Sequence, residues 1–238
     1  MCNLDIEKKL IDFSVNSIRE IRNGSNKVFL CELLGKNDEK FLSIYKPIRG
    51  ERPLRDFFVG NLSLRELASY EVSKYLGWPN LPPLVIKDGP FGEGSFQKFI
   101  DHDPKYNYFN LFKDFQEKLK LVIIFDSIIL NTDRKAGSII LDEKNKIWAI
   151  DQALAFNPYT RLRTVMFEFN KMNISENILS QITHFIKDLE NQKEIFIKLS
   201  KLISEEEVEG LIERLKSIHR KKVIPELDPY LNVPYPLI

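Results

Sequence analysis

Two aspartates and a lysine in one short stretch have the types and spacing that phosphoryl chemistry needs. Residues 131–138 read Asn131-Thr132-Asp133-Arg134-Lys135-Ala136-Gly137-Ser138, and an apolar run then leads to Trp148-Ala149-Ile150-Asp151. Phosphoryl transfer asks little covalent chemistry of a protein. It needs cations and Mg²⁺ on the phosphates, a carboxylate beside the accepting hydroxyl, and in-line positioning. Asp133 suits the carboxylate that orients the acceptor or takes its proton. Lys135, in the same loop, can reach the transferred phosphate, and Asp151, at the end of an apolar strand, suits a Mg²⁺ ligand. The eighteen residues from Asp133 to Asp151 hold a loop and one hairpin, which would bring both carboxylates to one mouth. From spacing alone the two aspartates are as readily turn or capping residues.

Other elements must position these groups. The chain up to about residue 100 alternates apolar and polar residues between turn signals, which predicts strands over Ser17–Arg22, Lys27–Leu34 and Phe41–Tyr45. A helix follows over Ser63–Leu76, with Leu64, Leu67, Ala68, Val72 and Leu76 at helical spacing and Gly77 to end it. A hairpin over Pro83–Lys87 and Gly94–Ile100 completes a five-stranded sheet with one helix. Lys46, just past the third strand, can pair the α- and β-phosphates, and Glu66 on the helix can hold it. Gly24 and Ser25, between the first two strands, can offer backbone N–H groups to phosphates, or serve only a hairpin turn. Phe99 and Ile100 leave the last strand where backbone groups can meet an adenine edge. Beyond residue 101 the texture is helical. It predicts a buried helix over Leu111–Leu130, a hairpin over 138–151, three amphipathic helices over about 174–221 and an extended tail from Pro225. The expected division is a β-rich lobe over 1–100 and a helical lobe over 101–238, with a ligand cleft between them. Asp126, inside the buried helix, reads as a hydrogen-bonded support for the 131–135 loop, and Arg134 as a partner for a nearby carboxylate.

Bulk composition excludes several classes. The 35 basic and 34 acidic residues nearly cancel, so no electrostatic footprint for bulk nucleic-acid binding is present. Two cysteines, Cys2 and Cys31, make neither a disulfide framework nor a zinc knuckle. No apolar run approaches the ~20 residues of a membrane span. A soluble cytoplasmic location is the expectation, with the oligomeric state left open.

Five short motifs carry a resemblance. They are Ile44-Tyr45-Lys46-Pro47, Arg65-Glu66-Leu67-Ala68-Ser69-Tyr70, Gly94-Ser95-Phe96-Gln97-Lys98-Phe99-Ile100, Asn131-Thr132-Asp133-Arg134, and Ala149-Ile150-Asp151-Gln152-Ala153-Leu154-Ala155-Phe156. In order and spacing they resemble the phosphatidylinositol 3-/4-kinase-like branch of the protein-kinase-like superfamily, most of all the type II phosphatidylinositol 4-kinases and their uncharacterised prokaryotic relatives. The resemblance implies an α+β, bilobal protein-kinase-like fold, with ATP in the cleft and a hydroxyl acceptor. It implies Lys46 on the phosphates, Asp133 in the catalytic loop, Asp151 on Mg²⁺ and Glu66 as partner of Lys46, with Glu71 a rival on the same helix. Three departures accompany it. Ser138 stands five residues after Asp133, where kinases carry a metal-binding asparagine. Gln152 follows Asp151, and Ala153 stands where relatives have glycine. A serine hydroxyl can ligate Mg²⁺ but reaches less far than an amide. The implied function is an ATP- and Mg²⁺-dependent phosphotransferase acting on a protein or small polar molecule. A nucleotide-binding pseudokinase and an AMP transferase on the same fold are the alternatives. No basic amphipathic helix and no cysteine cluster between Lys46 and Glu66 speak for a lipid acceptor.

Overall fold

The computed structural model describes residues 3–21, 26–51 and 61–238. Its sheet is antiparallel, built from β1 (Ser14–Ile21), β2 (Val28–Leu34), β3 (Lys40–Pro47), β4 (Leu84–Gly89) and β5 (Gly92–Lys98), in the order β1-β2-β3-β5-β4. Period-two alternation decides which side chains go where. Phe29, Cys31 and Leu33 of β2 and Tyr45 of β3 are buried on one face. Against them pack Ile6 and Leu10 of a helix, α1 (Asn3–Asp12). Lys46, next to Tyr45, points to the other face.

Among the described residues the β-rich part thus carries two α-helices, α1 and α2 (Leu62–Leu76), where the sequence suggested one. The first was missed because Ile6 and Leu10 are its only buried residues and charges fill most of the rest. Capping fixes the second. The Asn61 side chain accepts from the Leu64 amide, and the Glu51 carboxylate accepts from the amides of Leu62 and Ser63 at 3.1 Å each. A carboxylate at a helix N-terminus satisfies orphan donors and complements the helix dipole. Glu51 lies just past β3, so this cap also ties the start of α2 to the strand that carries Lys46. Gly77 ends α2 in the left-handed conformation, as expected.

The helical part contains α3 (Tyr108–Ile129), a short hairpin of β6 (Ile139–Leu141) and β7 (Ile147–Ala149), and then α4 (Glu176–Glu190), α5 (Glu194–Leu199) and α6 (Glu205–Lys221). Val122, Ile123, Phe125, Ile128 and Ile129 of α3 are fully buried, in one cluster with residues of α2 and α4–α6. A smaller apolar group joins Ile100, Ile140 and Trp148, with Ile150 packed against it. It connects the segment after β5 to the hairpin that leads to Asp151. The tail from Pro225 forms no helix or strand. Among the described residues, no helix is long and apolar enough to cross a membrane.

Gly94 is held where β5 meets β3. A Cβ there would lie 2.4 Å from the Lys46 carbonyl oxygen and 2.8 Å from Pro47 Cα. Gly94→Ala must push the two strands apart beside Lys46. The expected cost is about 1–3 kcal/mol in urea unfolding; an unchanged midpoint would show that the strands have slack.

Candidate active site

The site is assembled around one lysine of β3, by α2 and by the loops that follow α3 and β7. Lys46 Nζ donates to Glu66 Oε1 at 2.8 Å and to Asp151 Oδ1 at 2.9 Å. Glu66 is 2% exposed, whereas Asp151 is 58% exposed and opens to solvent. Glu71 turns elsewhere, toward Lys74 and Lys198. Burial opposes charge on Lys46, yet the two carboxylates outweigh it and its pKa is raised. Lys46 in turn holds the Asp151 carboxyl below the ordinary aspartate range. Burial raises the Glu66 pKa against the pull of Lys46.

The first of these loops follows α3. Leu130 ends that helix in the left-handed conformation and its amide donates to the Asp126 carbonyl, so the chain reverses directly into 131–135. Arg134 folds inward and is fully buried. Its Nε and Nη2 donate to the two oxygens of Asp126 at 2.8 and 2.9 Å, and its Nη1 donates to the Ile150 carbonyl at 2.7 Å. Asn131 bridges Asp126 and the Asp133 amide, at 3.0 and 3.1 Å. With Arg134 and Asn131 anchored beneath, Asp133 and Lys135 face outward and pair at 3.0 Å. Burial raises the Asp133 pKa, with Lys135 opposing and the charge of Asp151 adding to the rise. The charge of Asp151 therefore acts on Asp133, and the environment moves the two pKa values in opposite directions.

The second loop begins at Asp151, whose φ of 61° is left-handed. Phe156, at φ 69°, is the other such residue in this loop, and Ala153 is not among them. An alanine takes positive φ only at a cost, and the loop is turned at its two ends instead. Such conformations cost of order 1–3 kcal/mol each and cluster at functional loops. Gln152 is buried beside α2, and its carbonyl accepts from the Ser69 hydroxyl at 3.2 Å. Among the described residues its side-chain nitrogen meets no acceptor.

Ser138 lies opposite Ile150, whose amide donates to its carbonyl at 3.0 Å, and is only 6% exposed. At the expected hinge, the Phe99 amide already donates to the Leu42 carbonyl at 3.1 Å, and the Ile100 carbonyl meets His102 Nδ1 at 2.8 Å. Gly24 and Ser25 lie outside the described residues. A groove of about 400 Å³ beside α1, lined by Asp5, Lys8, Lys9, Asp12, Phe13 and Glu39, contains none of the site residues. A Lys9–Glu39 ion pair sits in it.

Sequence reasoning did not find Arg65. It is buried on α2 beside Glu66, pairs with Glu207 of α6, and donates to the Ala155 carbonyl at 2.7 Å. The partner on α6 lies far along the chain, and no local pattern marks the pair.

The fold defines a class. The chain has a bilobal, protein-kinase-like α+β architecture, shared with two solved structures. One is hydra Fam20 with sugar, at TM-score 0.54 and 13% identity over 92% of this chain and 87% of that one. The other is the Helicobacter pylori proinflammatory kinase CtkA, at TM-score 0.51 and 12% identity over 89% and 93%. At such identities the likeness is one of fold. In sequence, the chain is 28% identical over 263 residues to Protein Rv2133c of Mycobacterium tuberculosis, covering 95% of this chain and 93% of that protein. No family model matches the chain.

Proposed function

We propose that the chain is an ATP- and Mg²⁺-dependent phosphotransferase that places the γ-phosphate on a hydroxyl of a protein or small polar molecule. The observation that carries this is Lys46 bridging Glu66 and Asp151 at 2.8 and 2.9 Å, with Asp133 in the loop that Arg134 anchors. The motif likeness to the phosphatidylinositol 3-/4-kinase-like branch supports it. In this reading residues 1–100 cover the nucleotide and 101–238 supply the catalytic and metal loops.

The donor set suits Mg²⁺ in one way only. Among the described residues no group of three or more His, Cys, Asp or Glu side chains could hold a metal alone. Mg²⁺ commonly takes one or two carboxylates and completes its shell with phosphates and water. Asp151 would hold it together with a nucleotide, and Ser138 would have to offer its hydroxyl. When bound, the metal would neutralise charge on the phosphates. The chain's own groups do the rest. Lys46 holds the α- and β-phosphates, with Glu66 fixing its ammonium. Asp133 orients the acceptor hydroxyl or takes its proton, and Lys135 offsets charge on the transferred group. Ile150, half-buried against the Ile100–Ile140–Trp148 group, gives apolar surface for a purine, and the backbone at Phe99 and Ile100 is the hinge for its edge. Gly24 and Ser25 remain the proposed phosphate-covering turn.

One observation favours a second reading. Ser138 is nearly buried and its carbonyl is held by Ile150 and Arg134, so its short side chain has little freedom to reach a second metal. A nucleotide-binding protein without turnover would result. Incubation with ATP and Mg²⁺, read by ADP formation and by the mass added to the acceptor or to the chain itself, separates the readings. Metal-dependent ADP release with an added phosphoryl group is expected. Nucleotide binding without turnover would establish the second reading, and an added AMP group would overturn both.

A further inference from the structure

Helix α2 does more than carry Glu66. Three of its residues reach the loop that starts at Asp151, one of them through Lys46. Glu66 meets Asp151 through Lys46, the Ser69 hydroxyl donates to the Gln152 carbonyl, and Arg65 Nη1 donates to the Ala155 carbonyl. Arg65 extends this grip to α6. Its Nη2 pairs with the Glu207 carboxylate, and the two side chains are 3% and 5% exposed. Glu207 is itself fixed, because its carboxylate accepts from the Ser204 amide at 2.9 Å and its amide donates to the Ser204 hydroxyl, which closes the capping box of α6. Farther along α6, Arg214 Nε donates to the Ile128 carbonyl at 2.8 Å, near the end of α3 and just before the 131–135 loop. The Phe156 amide donates to the Ile129 carbonyl at 2.6 Å. One side chain therefore stands between the helix that holds Lys46, the loop that bears Asp151, and the helix braced against the Asp133 loop.

We propose that Arg65 is a positioning residue. Its planar fork fixes the 151–156 loop to α2 and α6, and so sets Asp151 against Lys46 and Asp133. This rests on the phosphotransferase reading for its catalytic consequence, though not for its structural one. A guanidinium sends separate nitrogens of one rigid planar fork to the carboxylate and to the carbonyl, whereas an ammonium gathers its donors at a single point on a shorter side chain. The loop needs such a clamp, because Asp151 and Phe156 both hold left-handed backbone that the surroundings must impose. Displacing a reacting group by about 1 Å can cost on the order of a hundredfold in rate.

The test separates clamping from plain stability. Arg65→Met alone would strand the Glu207 charge and could unfold the chain, so the variant is the pair Arg65→Met with Glu207→Met. Replacing both members of a buried ion pair by apolar residues is often neutral or stabilising. Two readouts follow, hydrogen exchange of the 153–156 amides without nucleotide, and affinity for Mg²⁺ with ATP. The expected result is a melting temperature near wild type, with faster exchange in the loop and weakened nucleotide affinity. Wild-type exchange and affinity in the double variant would overturn the proposal. If the double variant does not fold, Arg65→Lys decides. It retains a cation for Glu207 but cannot hold both partners well, so its loop amides should exchange faster, and unchanged exchange overturns the proposal. If wild type binds no ATP, the phosphotransferase reading fails while loop exchange still decides whether Arg65 is the clamp.

Discussion

Asp133→Ala is expected to slow phosphoryl transfer by about a hundred- to ten-thousand-fold, the usual contribution of a positioned acid–base group, while nucleotide still binds. Asp133 touches neither Lys46 nor Glu66 in the contacts described above, so its loss leaves the phosphate side intact. The pH dependence should carry the same signature. Burial raises the Asp133 pKa against the pairing with Lys135, so turnover should fall with acid from above the ordinary aspartate range. The stability sign runs the other way. The folded state binds this proton more tightly than the unfolded chain, so stability falls as pH rises from the unfolded toward the folded pKa. Asp133→Asn should therefore melt at or above the wild-type temperature although inactive. A variant that melts lower and retains its turnover would show that Asp133 is structural.

The largest stability effect is expected beneath the loop. Arg134 and Asp126 are both fully buried and doubly bonded. Asp126→Ala leaves a guanidinium in the interior with no countercharge, a loss of about 3–5 kcal/mol. At ~2–4 °C per kcal/mol for a chain of this size, thermal unfolding should drop by roughly 6–20 °C. Adding Arg134→Met should recover part of the loss, since the stranded charge is gone. Full recovery is not expected, because Arg134 also holds the Ile150 and Ser138 carbonyls. A drop below about 1 kcal/mol would be typical of an exposed pair and would contradict this view of the loop.

How much of this was legible in the sequence depends on the range of each interaction. Lys46 was picked out by the apolar strand Phe41–Tyr45 before it and Pro47 after it; β3 in fact runs through it, from Lys40 to Pro47. Asp126 was legible as a buried support, because it lies in an apolar helix, and Arg134 as the partner of some carboxylate; that each is the other's partner is decided by the reversal after α3. Glu66 was only half legible. Helical periodicity offers Glu71 as well, and the choice is made by where α2 lies against β3, which the Glu51 cap helps to set. The helix α1 was hidden because two apolar residues among charges give too little periodicity. Ala153 marks a loop that glycine does not turn, but it does not say which residues turn it instead; those are Asp151 and Phe156. Backbone dihedrals at non-glycine residues leave no mark in composition. Arg65 and Glu207 were invisible for a different reason: a long-range buried ion pair looks in sequence like two surface charges.

The central claim is that Asp151 and Lys46 together hold a metal-bound nucleotide. Calorimetric titration of wild type and Asp151→Asn with ATP, in the presence and absence of Mg²⁺, tests it directly. Wild type should bind ATP tightly only with the metal. Asp151→Asn should lose that dependence, and lose at least as much affinity as the roughly 10–100-fold typical of removing even an outer-shell metal partner. Absence of ATP binding by wild type, or an equal metal dependence in the variant, would contradict the account.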